Sequence, residues 1–192
     1  MNLKLLAAGA VLASTVSFGA TQPAQFSVVP GVQFGATKYD SIGNFSFNLL
    51  GAENRNVSGF DLSLVGYRQV TGNFNGFHVA LFGLEAFRVS GNMSGVSLSL
   101  WNDINGNLNG GTLGLVNTVG GNATFNLGGV NIVRGEAVVQ LGLANYAESV
   151  SGLQFGFVNG TKNLEGVQIG FVNYAANGVL PVLPIVNFRK SF

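Results

Sequence analysis

The sequence predicts an all-β protein, in the first place an antiparallel β-barrel of about 10–12 short strands built from a repeat of about 14 residues. A parallel β-solenoid built from the same repeat is the alternative. Two observations favour β-structure: an asparagine recurs at regular intervals, and large apolar residues alternate with small or polar ones. A third is the abundance of glycine, 29 of 192 residues, much of it in the turns between these runs.

The first element is a secretory signal peptide, predicted over residues 1–20. Lys4 supplies a positive charge, Leu5 begins a run of twelve mostly apolar residues, and small residues follow it. We expect cleavage between residues 19 and 24. The apolar run is shorter than the roughly 20 residues of a membrane-spanning helix. The sequence therefore predicts an exported protein in which residues 21–192 form a single all-β repeat domain.

The repeat that follows is defined by one asparagine and by a small residue three positions before it. Large apolar residues stand four positions before the asparagine and polar residues five before it, as in the neighbours Phe155 and Gln154. This alternation has the two-residue period of a strand and does not fit a helix. The repeat-defining residues of the five clearest copies are Gly114, Gly128, Gly142, Gly156, Gly170, Asn117, Asn131, Asn145, Asn159 and Asn173.

The copies ending at Asn159 and Asn173 read G-L-Q-F-G-F-V-N and G-V-Q-I-G-F-V-N, and a Pro-rich segment, L-P-V-L-P-I-V-N-F, follows at residues 180–188. These features resemble the exported surface-repeat proteins of Leptospira and other Gram-negative-type bacteria, over roughly residues 58–190. The resemblance implies a surface or outer-membrane protein of undefined biochemical activity. It carries over no catalytic residue.

The barrel and the solenoid use the repeat differently. In the barrel each copy is one strand and a turn, bulky residues face lipid, and polar residues such as Asp61 and His78 line the interior. In the solenoid each copy is one coil, the asparagines stack as a ladder, and Phe155 belongs to the core. The barrel is favoured because no apolar residue recurs five positions after the asparagine, so a coil would have only one apolar side. Pro181 and Pro184 count against the barrel, because they fit poorly in a strand paired on both sides.

No catalytic, cofactor-binding or metal site is predicted. The chain has no cysteine, and its only histidine, His78, occupies a slot that is polar in every copy. Asp103 begins a segment similar to a calcium loop, but Gly114 stands where that loop requires glutamate, so we interpret residues 105–107 as an Asn-Gly turn. A charged cluster within the strands is the candidate interior polar cluster, and comprises Asp61, His78, Arg68, Glu85 and Arg88.

Composition indicates the class of partner. Only 9% of the residues are charged, against about 25% in an average soluble protein, and the net charge of +1 argues against nucleic acid. Membrane lipid is the expected partner, a protein or host-surface partner stays open, and no cofactor is expected. Four aromatic residues lie at or next to the asparagine position, as in an interfacial girdle: Tyr67, Trp101, Tyr146 and Tyr174.

The sequence thus predicts a non-enzymatic protein of the outer membrane or cell surface with a structural or interaction role. The alternative is a soluble β-solenoid adhesin or fibre-forming surface protein. A small passive pore ranks third.

Overall fold

The chain forms a parallel β-solenoid, in which successive coils stack on one another. The computed structural model describes residues 19–189, so the predicted signal peptide lies almost entirely outside the described residues. The twelve strands are β1 (Thr21–Val29), β2 (Val32–Phe34), β3 (Ser41–Asn48), β4 (Gly51–Asn54), β5 (Val57–Val70), β6 (Phe74–Val89), β7 (Met93–Leu98), β8 (Trp101–Ile104), β9 (Leu108–Val119), β10 (Ala123–Leu164), β11 (Val167–Ala175) and β12 (Val182–Phe188).

The repeat length equals the length of one coil. Asn131 pairs with Asn117 between β10 and β9, and Gly156 pairs with Gly170 between β10 and β11, in both cases in parallel. Strand β10 is 42 residues long because three successive 14-residue copies follow one another in it, and the bends between its segments do not interrupt the pairing with the neighbouring coils. Equal residue types therefore stack directly above one another along the axis of the solenoid.

The predicted antiparallel barrel is wrong, and the alternative solenoid is the observed architecture. From β3 to β11 each strand pairs in parallel with the strand one coil further along the chain. Within residues 19–189, antiparallel pairing is confined to the two ends of the stack. A two-residue alternation predicts a strand without specifying the direction of its neighbour, so the pattern was compatible with both folds.

Each coil has two strand segments and two bends. In the coil that starts at Met93, β7 is the first segment and β8 the second. Residues 99–100 form the bend between the segments, which we call the front bend. The back bend leads to the next coil; here it includes residues 105–106, where the sequence predicted an Asn-Gly turn.

The apolar half of the core lies beside the back bend. One row of buried side chains stands two positions after the asparagine slot: Ile104, Val119, Val133, Ala147, Thr161 and Ala175. A facing row lies at the start of the coils and includes Met93, Leu108, Ala123, Ala137 and Leu164. Each coil therefore has two apolar sides and not the single one expected from the sequence. The second side is the row two positions after the asparagine, in which alanine takes the place of bulkier residues.

Each end of the solenoid carries an antiparallel strand. At the N-terminal end the chain reverses at Pro30 and Gly31, whose φ of 90° favours glycine, and β2 returns along β1. At the C-terminal end β12 pairs with β11 and lies at the edge of the sheet. This position accommodates Pro184, because an edge strand has a side on which no N–H donor is needed.

Candidate interaction surface

The polar half of the core is built by the repeat asparagines, all of them buried. The Nδ2 atom of Asn117 donates to Oδ1 of Asn131 at 2.7 Å, and the same bond continues through Asn145 and Asn159 to Asn173 at 2.8–2.9 Å. The second Nδ2 proton of each donates to a main-chain carbonyl of the next coil, as from Asn145 to Phe155 O at 3.0 Å. The ladder thus satisfies amide groups that would be costly to bury unpaired.

A second ladder lies five positions before the asparagines. Gln154 Nε2 donates to Oε1 of Gln140 at 2.7 Å, and Gln168 Nε2 donates to Oε1 of Gln154 at the same distance. All three glutamines are fully buried. The polar positions of the repeat therefore face the interior. The barrel prediction also placed them inside, although the observed interior is that of a solenoid.

The repeat glycines lie where the coils approach each other most closely. A Cβ atom at Gly156 would overlap the carbonyl oxygen of Gly142 and lie close to the Asn145 side-chain amide. Gly128, Gly142 and Gly170 meet the same two kinds of atom, and Gly114 is enclosed in a similar way. The position three residues before the asparagine, which we call the small slot, thus requires a small residue because the coils stack closely there against the asparagine ladder.

A buried ionic cluster replaces these ladders in the N-terminal coils. Arg68 Nε donates to Asp61 Oδ2 at 2.8 Å, and His78 Nδ1 lies 3.1 Å from the same oxygen. His78 Nε2 lies 3.7 Å from Glu85 Oε2, and the His78 ring stacks on Phe87 at 4.0 Å. The structure thus brings together four members of the predicted cluster, out of contact with solvent.

The fifth member, Arg88, lies on the outside. It forms an ion pair with Asp103 at 2.8 Å. Strand alternation explains the separation: Arg68 and the ring of Phe87 point inwards at equivalent positions of neighbouring coils, so the residue after Phe87 points outwards.

The cluster makes stability depend on pH in two opposite ways. Burial raises the pKa of the Glu85 carboxyl to about 7, so its contribution is complete below its unfolded pKa and is lost as the pH rises through 7. Burial also opposes ionisation of Asp61, but the Arg68 guanidinium and the His78 ring outweigh it and hold the pKa of that carboxyl well below its usual range. The Asp61 contribution is present above its unfolded pKa and is lost in stronger acid.

The bulky residues of the repeat lie on the outside of the solenoid. Phe155 is 54% exposed, whereas its neighbour Gln154 is fully buried, so placing Phe155 in a solenoid core was wrong. Outward side chains of the first strand segments form one continuous surface, which we call the apolar face: Phe45, Phe47, Phe60, Leu62, Phe77, Val79, Val96, Leu98, Leu113, Phe125, Leu127, Val139, Leu141, Leu153, Phe155, Val167 and Ile169. None of these side chains can form a hydrogen bond.

A second exposed row, the ridge, runs along the front bends beside the apolar face. It consists of Leu100, Leu115, Leu143, Phe157 and Phe171, which are 41–71% exposed, and the last two stack their rings at 5.0 Å. The charged side chains of the same coils lie at or near the back bends, at the opposite edge: Asp103, Arg134, Glu136, Glu148, Lys162 and Glu165. The coils are therefore amphipathic from edge to edge.

No known protein supplies a function for this surface by similarity. The chain matches no protein-family model, and no curated protein or solved structure is significantly similar to it. Within residues 19–189 no helix is long and apolar enough to cross a membrane, and no group of three or more metal-ligating side chains comes together. The likeness to surface-repeat proteins stays a prediction, and the geometry of the described residues carries the functional argument.

Proposed function

We propose that this chain is an exported, non-enzymatic β-solenoid of the cell surface, an adhesin that binds a lipid surface with its apolar face and ridge. The observation that carries the proposal is the unbroken apolar surface of the outer side. It extends over β3, β5, β6, β7, β9, three passes of β10 and β11, which at about 4.8 Å a strand is about 40 Å. An exposed apolar surface of this size is typical of an interaction site.

The shape of the surface favours lipid over a folded partner. The ridge lies on the front bends, where the chain passes from one strand segment to the next, so its side chains project from an edge of the solenoid. A rigid protein would cover one side of such an edge, whereas fluid acyl chains can surround it. The main chain tolerates this environment, because the coils already satisfy their N–H and C=O groups by pairing with one another.

The position of the charges favours shallow binding. Lys162 and Glu148 form an ion pair near the back bend at 2.6 Å, and both are exposed. With the ridge in the acyl region these groups stay in water at the opposite edge, as on an interfacial amphipathic element. We therefore expect the solenoid to lie on a membrane surface without crossing it.

Flotation with phosphatidylcholine vesicles tests this proposal on the exported chain. We expect the protein to float with neutral vesicles and to do so equally at high salt, because apolar burial is not screened. Replacing Leu143, Phe157 and Phe171 together by asparagine removes about 1 kcal/mol of burial per side chain, which lowers partitioning roughly 100-fold.

The matched control changes charge at the other edge. The double variant Glu148→Gln and Lys162→Gln alters exposed side chains of the same region and should float like the unchanged chain. Circular dichroism confirms that both variants keep their strands. Failure of the unchanged chain to float, or equal flotation of the ridge variant, would refute the proposal.

Lateral pairing of two copies is the second candidate function. It is favoured by the flat, in-register apolar face, where the rings of Phe45, Phe60 and Phe77 stack at 5.8–6.1 Å. Two such faces can pack about 10 Å apart, as stacked sheets do. Sedimentation without lipid distinguishes the two, because pairing predicts a concentration-dependent dimer that Phe60→Asn disrupts.

A further inference from the structure

Two aromatic side chains on the outer surface of the second strand segments enclose a hollow. Tyr67 pairs with Ala86 and Ala86 pairs with Trp101, so the three residues form one column across three successive coils. Trp101 is 50% exposed and Tyr67 is 37% exposed. The small side chain of Ala86 leaves the space between them open.

The width of this space follows from the spacing of the coils. Tyr67 and Trp101 are two coils apart, which is about 10 Å at 4.7–4.9 Å a strand. The hollow has a cavity volume of about 90 Å³ and is lined by Tyr67, Ala86, Phe87, Arg88, Trp101 and Asp103. Two van der Waals contacts take up about 7–8 Å of the width, so a single puckered ring fits better than a flat aromatic one.

Polar groups lie in the neighbouring column. Arg88 Nε donates to Asp103 Oδ2 at 2.8 Å, and the Tyr67 hydroxyl donates to Gln69 Oε1 at 3.0 Å. Asp103 Oδ1 also accepts from Thr118 Oγ1 at 3.1 Å. The Arg88 and Asp103 side chains are partly exposed, so the remaining Arg88 donors and Asp103 lone pairs are open to a ligand. The pair has no net charge, which gives no preference for a phosphate or a cation.

We propose that this hollow is a binding site for one pyranose ring of a neutral glycan. The apolar C–H faces of the sugar pack on Tyr67 and Trp101, and its hydroxyl groups exchange hydrogen bonds with Arg88 and Asp103. Aromatic surface combined with a few fixed polar groups is the usual composition of a small-ligand site. Trp101 follows the ridge residue Leu100 in the chain, but the hollow lies on the second strand segments, whereas the apolar face lies on the first. Sugar binding is measured without lipid, so it can fail without affecting the proposed lipid binding.

A second hollow extends the site beyond Trp101. It also includes Asp103, together with Thr118 and Arg134, and has a cavity volume of about 240 Å³. The two hollows share Trp101 and Asp103. A disaccharide can therefore place one ring on each side of the indole, and we expect it to bind more tightly than a monosaccharide.

The single tryptophan of the sequence makes the site directly observable. We expect methyl β-D-glucopyranoside, methyl β-D-galactopyranoside or methyl N-acetyl-β-D-glucosaminide to change the Trp101 emission saturably in the millimolar range. Saturation-transfer NMR on the same glycosides detects binding that leaves the emission unchanged. Cellobiose, lactose and chitobiose test the second ring.

Two tyrosine variants on the same outer surface form the matched comparison. Tyr67→Ala should weaken binding at least about tenfold by removing one wall, whereas Tyr174→Ala, at the far end of the solenoid, should leave it unchanged. Both residues are exposed, so both variants should fold, which circular dichroism checks. The proposal is overturned by the absence of a saturable response in both assays, by equal binding to Tyr67→Ala, or by an equal response to inorganic phosphate.

Discussion

Adding one methyl group at Gly156 should destabilise the solenoid far more than adding it at Gly160. The two glycines are four residues apart in the same copy of the repeat, and Gly→Ala is the same chemical change at both. At Gly156 the new Cβ atom overlaps the Gly142 carbonyl oxygen, which belongs to the neighbouring coil. At Gly160 the nearest atoms are Tyr146 Cδ2 at 3.4 Å and the Asn145 carbonyl oxygen at 3.9 Å, which are ordinary contacts.

The magnitudes follow from these surroundings. Relief of the overlap at Gly156 has to separate two coils, and overpacking of this kind costs about 1–3 kcal/mol. The new methyl group also displaces the Asn145 amide from the ladder, and a buried group left unpaired adds about 1–3 kcal/mol. We therefore expect Gly156→Ala to lose about 2–6 kcal/mol. Gly160→Ala should change stability by less than about 1 kcal/mol, because alanine restricts the unfolded chain and fits the native space.

Urea unfolding of the exported chain, followed by circular dichroism, measures the difference. Gly156→Ala should unfold at a clearly lower urea concentration than the unchanged protein, and Gly160→Ala should unfold close to it. Gly170→Ala repeats the test one coil further on, where the Cβ atom meets the Gly156 carbonyl oxygen. Equal midpoints for Gly156→Ala and Gly160→Ala would refute the close packing of the coils at the small slot.

Three further predictions concern the core. Gln154→Lys should destabilise the protein by several kcal/mol because it buries an unpaired charge. Phe155→Lys places the charge on the outside, so this variant should unfold near the same urea concentration as the unchanged protein. Equal urea midpoints for the two variants would contradict the assignment of the two faces. Asn145→Ala should lower the free energy of unfolding in urea by about 2–4 kcal/mol, because it interrupts the asparagine ladder. Asn122→Ala, which loses one exposed hydrogen bond from Glu136 N, should lower it by about 1 kcal/mol. The free energy of unfolding should fall by up to about 3 kcal/mol from pH 5 to pH 9 as Glu85 ionises. Glu85→Gln should remove this pH dependence when thermal unfolding is measured across the same range. An unchanged pH dependence in the variant would exclude Glu85 as its cause.

The sequence by itself determined the repeat and which side chains of each strand share a side. Gln154 and Phe155 point to opposite sides because successive side chains of a strand do so. The barrel prediction placed the polar side in the interior, as observed, whereas the solenoid alternative placed Phe155 there. The asparagine ladder was also predictable, since a period of one coil brings equal residues together. It was expected as a property of the solenoid alternative.

Only the tertiary structure decided between barrel and solenoid. The alternation of side chains in a strand is the same whether the neighbouring strand is parallel or antiparallel. The direction of the neighbouring strand depends on the path of the chain through the two bends of each coil. The row that completes the apolar core was missed because Ala147 and Ala175 are small, and only their position opposite the start of the coil shows that they are buried core residues.

The ionic cluster depended on tertiary structure in the same way. Asp61 and His78 are 17 residues apart, and they meet because β5 and β6 pair in a register that departs from the 14-residue period. Arg88 is only three residues after Glu85 in the sequence, but its side chain points outwards. The repeat period determines which residues share a row, because the period is a property of the chain alone. The length of each bend determines which rows face each other inside a coil, and this register is set only when the coils stack.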